Sequence, residues 1–538
     1  MSRQTFVRDA TGLVREVGFF DYLLTNLNGV TFFYSLAVTP WFIWFATPGG
    51  DAIMGSIGGV LFTVFGAIVV FAMMTATFPR SASPYVANSR VLHPAIAWPA
   101  EAMMWMSIGP LGIGVLGTAL ISAALVPGLY TMGVSSGNAS LVSAAFALTQ
   151  PFWIAVLGVV VVLGTMALVI RGTRALVHSF QLPMTILTLI GTVVLLVYWA
   201  SANVTQLQAV LPKYTSVGYA DILNYANTNY SSAMVPVSFA AIPVMSSILY
   251  TVGAFNSYWG VWAAGEVKRA NNVRMHYFSM VIPCLLLFAV TISTIALAQA
   301  NVGRDFLVAM TQILTNNPGF FTTLPSVTSF GTLFLIPMML ADNPIAQFLI
   351  MMMMVGAVLA SSVYVWLIAT RDFFAWSFDR LFPAKFAEIS DKTGTPVFTI
   401  AVNGVIACAF AIVVSYAGSY IAYAFVAEYA LAVGSIGILM LSAVVIPLRK
   451  DIWSTSPASK YKLLGIPIIS IAGILGLVYE FGSLYLYVVT PQFGWGPQAS
   501  EFLIATMILP FVLYWIIRKI RISQGIDVDA VFRSIPPE

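Results

Sequence analysis

The chain has 538 residues, of which 59% are hydrophobic and 8% charged, with a formal net charge of +4. A soluble domain carries about 25% charged residues, so this chain cannot cover a water-facing surface and its solvent is largely lipid. The small charge, with no long basic run, excludes nucleic acid as a partner.

The two cysteines, Cys284 and Cys408, each sit alone in an apolar run, which excludes a disulfide framework and a CxxC metal site. His93, His178 and His276 are far apart in sequence, so no HExxH site exists. There is no GxxxxGK[ST] phosphate loop, and no nucleophile–base pattern stands out. The expectation is a non-enzyme without metal or cofactor. The N-terminal Arg3, Arg8, Asp9, Arg15 and Glu16 lack an apolar core and cleavage site, so they read as a cytoplasmic tail.

A spanning helix needs about 20 mostly apolar residues. Twelve candidates follow in chain order: 18–46, 53–78, 94–126, 151–170, 180–200, 238–263, 277–299, 344–370, 396–416, 421–447, 464–489 and 501–520. The third is long for a bilayer, and Pro110 is placed to kink it. With the N-terminus inside, 22 of the 24 basic residues fall in internal segments, leaving only Lys213 and Arg304 outside. That asymmetry puts both termini in the cytoplasm of a multi-pass cell-membrane protein. The external connections 127–150, 201–237 and 300–343 are long and polar. The first two hold the sequons of Asn138, Asn203 and Asn229, which are glycosylation candidates. The internal segment Arg371–Ser390 alternates aromatic and charged residues, which suits a helix lying in the interface.

Two spans should be weak helices. The first contains Asn26-Leu27-Asn28-Gly29 and then Tyr34-Ser35; the sixth contains Gly253-Ala254-Phe255-Asn256-Ser257-Tyr258-Trp259-Gly260. Paired interruptions in two halves of a membrane protein point to a transport site, because freed N–H groups and carbonyls can hold a ligand. A break at Asn256 and Ser257 is expected. The candidate substrate-binding residues are therefore Asn28, Gly29, Tyr34, Ser35, Trp105, Gly253, Phe255, Asn256, Ser257 and Tyr258, the aromatic ones as walls of an apolar pocket. The competing reading is that the polar groups bond neighbouring helices and the aromatics pack.

Carboxyls at membrane depth are the second feature. Glu101, Glu428 and Glu480 fall inside spans, at a cost of roughly 2.5–3.5 kcal/mol each on the lenient scale. Glu101 and Glu428 are candidate carriers of a coupling proton. Ser361 and Ser362 in the eighth span are candidate ligands for sodium, the alternative coupling ion. Each has a structural reading as well: a paired carboxyl, or small residues that let helices approach.

Three stretches resemble the amino acid–polyamine–organocation superfamily of permeases. Phe78-Pro79-Arg80-Ser81-Ala82-Ser83-Pro84-Tyr85, with Arg90 and His93-Pro94 beyond, is similar to its FPRSGGxY…R…HP signature. Gly265-Glu266-Val267-Lys268-Arg269-Ala270 resembles its EVKNP segment without the proline. Arg371 through Asp379-Arg380-Leu381-Phe382-Pro383 to Gly394-Thr395-Pro396 resembles its R…DRxxP…GTP loop. The resemblance implies an all-α polytopic protein with a leucine-transporter-like fold. Two inverted five-helix repeats, 18–200 and 238–447, would be followed by two extra helices within 464–520, between cytoplasmic tails 1–17 and 521–538. It further implies secondary transport of amino acids or related amines by alternating access, around a midplane site between spans one, three, six, eight and ten. A polyamine or amino acid exchanger and a transporter-like receptor are the alternatives. Some members carry a lysine in span five in place of a sodium ion. All eight lysines here lie in loops or span ends, so the expected coupling proton must use another group.

Overall fold

The computed structural model describes residues 15–29, 32, 34–244, 257–326, 331–489 and 497–532. Among them, ten helices are long and apolar enough to cross a membrane. The chain starts with α1 (Phe19–Gly29), a π turn at Tyr34–Val38 and α2 (Thr39–Ala46). These are the two halves of the interrupted first span. Next come α3 (Ala52–Thr77), the short α4 (Ser83–Val91), α5 (Pro94–Ile108) and α6 (Pro110–Ala119). A π turn leads to α7 (Val126–Ser136), then α8 (Ala139–Ala147), α9 (Pro151–Val169), α10 (Thr173–Ser201), α11 (Val204–Thr215) and α12 (Tyr219–Asn229).

The described part of the sixth span is a 3-10 segment, Trp259–Glu266. After it follow α13 (Val273–Val302), α14 (Arg304–Asn316), α15 (Thr332–Ala341), α16 (Pro344–Phe378), α17 (Val397–Tyr416), α18 (Gly418–Val445), α19 (Ile468–Val489) and α20 (Pro497–Ser523). The two-residue strands β1 (Lys462–Leu463) and β2 (Ile466–Pro467) form a small hairpin before α19.

Lipid leaves each helix to satisfy its own backbone, and polar caps close the ends. Asp51 accepts from the amides of Ile53 and Met54, and Asn343 from those of Ile345 and Ala346. Helices meet through small residues. A Cβ on Gly356 of α16 would lie 2.6 Å from the Met184 carbonyl of α10, and one on Gly191 of α10 would lie 2.4 Å from the Leu349 carbonyl of α16. These two helices therefore approach backbone to backbone. Val160 of α9, Val193 of α10 and Ile508 of α20 point outward, as lipid-facing side chains should.

The structure differs from the sequence reading in three places. The segment from Arg371 is not a separate interfacial helix. It is the last turns of the 35-residue α16, and Arg371, Asp372, Phe374 and Trp376 are buried. Arg371 is paired with Glu266 inside the protein and Asp372 accepts from the Trp262 indole, which makes an interfacial position unnecessary. The long connections are largely helical, as α7, α8, α11, α12, α14 and α15. The third span breaks at Gly109–Pro110 as expected, since the proline has no N–H to continue the ladder, but helix runs on to Ser136, beyond the expected end at 126.

Candidate functional site

The first span breaks where Asn28-Gly29 stands: α1 ends at Gly29 and helical structure resumes in the π turn at Tyr34. Residues 30, 31 and 33 lie outside the described set. The side chains around this break hold it against its neighbours. Asn26 accepts the Gly260 amide at 2.9 Å, and a Cβ on Gly260 would sit 2.7 Å from that oxygen. Only glycine permits this approach. Gly29 in turn packs on Trp259. At the end of the bundle rich in arginine, Val17 pairs with Val267 in a parallel bridge. The first span before its break is thus bound to the sixth at both ends of α1.

Asn28 turns the other way. Its amide donates to the Leu24 carbonyl and to the Thr185 hydroxyl of α10, each at 2.8 Å. Gln181 extends the network, donating to the Ala360 carbonyl of α16 at 3.4 Å. A neutral polar network therefore fills the space between α1, α10 and α16. The Ser361 and Ser362 hydroxyls donate to the carbonyls of Val358 and Leu359 on their own helix, each at 2.7 Å.

Ser35 is fully buried in the π turn. Ser257 donates to the Met280 carbonyl of α13. The Tyr258 ring stacks on Phe71 with centroids 4.0 Å apart, and Trp259 stacks on Tyr364 of α16 at 5.8 Å. Gly253, Phe255 and Asn256, and with them the expected break at Asn256, lie outside the described residues, as does the side chain of Tyr34. Trp105 sits elsewhere. Its indole donates to Asn403 of α17 at 3.0 Å, and its ring meets Phe373 at 5.1 Å. It belongs to an aromatic cluster with Trp376 and Phe382.

Glu101 on α5 is 1% exposed. The Trp262 indole of the 3-10 segment donates to it at 2.8 Å and to Asp372 of α16 at 2.9 Å. Trp262 is itself positioned by the loop after α3, where Ala82, at φ +50°, donates its amide to the Trp262 carbonyl at 3.0 Å. Two buried ion pairs flank this centre. Arg371 meets Glu266 at 2.6 Å, and Arg90 is bidentate to Asp379 with both bonds at 2.6 Å. Glu428 lies in α18, and its side chain is outside the described set. Among the described residues no group of three or more His, Cys, Asp or Glu could hold a metal ion.

Sequence reasoning missed Trp262, Asp372, Gln181 and Thr185. Asp372 had a signal. No Gly or Pro interrupts the chain between Gly356 and Phe378, so a continuous helix carries it inward. Asn138 and Asn203 cap α8 and α11 through their side-chain oxygens, and Asn229 ends α12; all three are exposed.

No family signature matches the sequence, and no curated protein is similar to it in sequence. The permease resemblance therefore rests on the motif residues themselves. Among solved structures, that of MhsT in complex with L-phenylalanine is similar. It is 12% identical in sequence, with a TM-score of 0.53, and the match covers 92% of this chain and 98% of that one. The chain has a leucine-transporter-like fold. A match over nearly all of both chains makes this a likeness of whole architecture, and it places the broken first span and the 3-10 segment within one recognised bundle.

Proposed function

We propose that this protein is a secondary transporter of amino acids or related amines, of the amino acid–polyamine–organocation kind. It works by alternating access around the break of the first span, with the two five-helix repeats moving against each other. The carrying observation is the end of α1 at Gly29, packed on Trp259 and tied by Asn26 to Gly260, in a fold that a protein bound to L-phenylalanine shares. A helix interrupted inside a membrane exposes backbone groups only where they face protein, water or a ligand. The break that follows Gly29 is the part offered to a substrate, because the Asn28 side chain is already committed to Thr185. Ser35, Ser257 and Tyr258 flank it.

The basic end of the bundle is cytoplasmic in this reading, following the arginine and lysine distribution. Coupling is to a proton rather than sodium. Glu101 supports this: a carboxyl buried between α5 and the sixth span changes its desolvation cost by several kcal/mol when it gains or loses a proton. The neutral network of Asn28, Gln181 and Thr185 fits the same reading, since these three residues join α1, α10 and α16 with no charged side chain among them.

A thermal-shift screen of the purified protein against all amino acids and common polyamines tests the substrate class. A ligand stabilises the folded state by RT ln(1 + [L]/Kd). Stabilisation by one or more amino acids is expected; a response to polyamines alone would overturn the amino acid assignment. In proteoliposomes, Glu101→Gln should keep exchange of the amino acid found and lose its uptake under an imposed pH gradient. Concentrative uptake equal to the parent's would remove Glu101 from the coupling role.

A further inference from the structure

We infer that Glu101 and Asp372 share one proton, and that this proton latches the 3-10 segment Trp259–Glu266 onto α5 and α16. The inference rests on the proton-coupled reading above and names the partner and the moving part that reading lacks.

The argument is hydrogen-bond accounting. Glu101 is 1% exposed and Asp372 fully buried. Between them stands one donor, the Trp262 indole N–H, at 2.8 and 2.9 Å. The two accepting oxygens are therefore no farther apart than those two bonds laid end to end. An ionised carboxylate only accepts, and two of them present about eight lone-pair sites to a single hydrogen. The Oδ2 atom of Asp372 is buried and finds no partner among the described residues. Leaving it so is expensive. A proton on one carboxyl supplies the missing donor and removes one of two like charges.

Charged groups on the packed elements are committed elsewhere. Arg371, beside Asp372, bonds Glu266, and Arg90 of α4 bonds Asp379. Lys385, beyond α16, lies over the Phe398 ring at 4.4 Å. His178 of α10 meets Asp21 of α1 at 2.8 Å. Tyr85 of α4 and Tyr514 of α20 are buried phenols, and on α20 Arg521 donates to the Leu381 carbonyl. Tyr130 of α7 bonds the Tyr214 carbonyl. On α17, Tyr416 is exposed and Cys408 half-buried. His93, the exposed cap of α5, lies eight residues before Glu101, about 12 Å along the helix. Glu428 stands on α18, which packs against α5.

With one proton, Trp262 and both carboxyls close a hydrogen-bonded unit across three elements, and the pair carries a single negative charge. Loss of the proton to water breaks one O–H bond and leaves two carboxylates facing one N–H. Their repulsion favours separation, and the 3-10 segment is the short element between them. The latch is thus closed when protonated and released when the proton leaves at the basic end.

The test uses a chain with Cys284→Ala, Cys408→Ala and a reporter, Ala263→Cys, on the 3-10 segment, where Ala263 is 3% exposed. Labelling by a water-soluble maleimide is measured from pH 5 to 8 without substrate, each rate divided by that of the denatured protein at the same pH. In the parent, normalised labelling should rise at least about fivefold with pH. Glu101→Gln and Asp372→Asn each put an amide N–H where the shared proton lay and keep one negative charge, so both should label slowly at every pH. His93→Asn, which retains a capping side chain, should leave the profile unchanged. As a second variant, Trp262→Phe removes the N–H that ties the 3-10 segment to the pair, so it should label fast at every pH. A flat profile in Glu101→Gln with a parental one in Asp372→Asn would overturn the shared proton while leaving Glu101 as coupling residue. Parental profiles in both, or loss of the response in Glu428→Gln alone, would overturn the latch and Glu101 together. A parental profile, or slow labelling at every pH, in Trp262→Phe would also overturn the latch.

Discussion

Replacing Asp379 by Asn strands a guanidinium inside the protein. The Arg90 side chain is 3% exposed and that of Asp379 1%, so water cannot take over the lost carboxylate. Breaking one member of such a pair costs about 3–5 kcal/mol. Arg90 keeps the Ser89 hydroxyl at 2.7 Å and the Phe532 ring at 4.9 Å, which places the expected loss at the lower end, about 3 kcal/mol, or roughly a hundredfold in the folded-to-unfolded ratio. Removing both charges tells a different story. Arg90→Met with Asp379→Leu leaves no buried charge, and its cost should be about 1 kcal/mol or less. Reversible unfolding in mixed dodecylmaltoside and SDS micelles, followed by circular dichroism, measures Asp379→Asn, the single variants Arg90→Met and Asp379→Leu, and the double variant. The reasoning is refuted if the double variant is destabilised by as much as the two single substitutions added together, because the single-variant losses would then not come from an unpaired buried charge.

Gly260→Ala should cost about 2–4 kcal/mol in thermal unfolding, since its new Cβ meets the Asn26 oxygen at 2.7 Å and Tyr22 at 2.9 Å; in an Asn26→Ala background the cost should fall to less than half. Ser361→Ala should change stability by less than about 1 kcal/mol, because its hydroxyl bonds its own helix; thermal shifts with whichever amino acid the screen finds should agree in sodium and in choline, and a sodium effect lost in the variant would place a cation there. Between α15 and α16, partial burial pushes the Asp342 carboxyl up, but the Lys213 ammonium and the Tyr214 hydroxyl, each at 2.6 Å, outweigh it and hold it below its ordinary range. A depressed folded-state value means the contribution is full above the unfolded value and is lost as pH falls through the folded one; with side chains 41% and 38% exposed it is at most about 0.5 kcal/mol. Asp342→Asn should abolish that acid-side loss in a pH series of melting temperatures.

Much of the bundle was legible because lipid forces the pattern. Runs of apolar residues long enough to span had to be helices, and the polar Asn28-Gly29 inside the first run had to interrupt it. The roles of the polar residues were less legible. Asn26 and Asn28 stand two positions apart, yet one holds Gly260 and the other Thr185. Each partner lies more than 150 positions away, on an element whose placement no local spacing encodes. Glu101 stood out as a charge in an apolar run. Asp372 did not, because Arg371 beside it made the segment look like a wet interface. Only packing reveals that Arg371 spends its charge on Glu266 and leaves Asp372 to face Glu101. Trp262 was one aromatic among many until its N–H had two carboxyls to serve.

The bridge between Val17 and Val267 has a consequence for biosynthesis. The Val17 amide donates to the Glu266 carbonyl, and the Lys268 amide donates back to Val17. At about 5–20 residues per second, the ribosome needs roughly 12–50 s to deliver the second partner after the first. Gly260, which Asn26 needs, emerges at nearly the same moment. Throughout that interval the opening helix sits in the bilayer with a side-chain amide and a stretch of backbone still unanswered. The earliest span to be made is therefore among the last to be completed, and its final closure is timed by the emergence of the sixth.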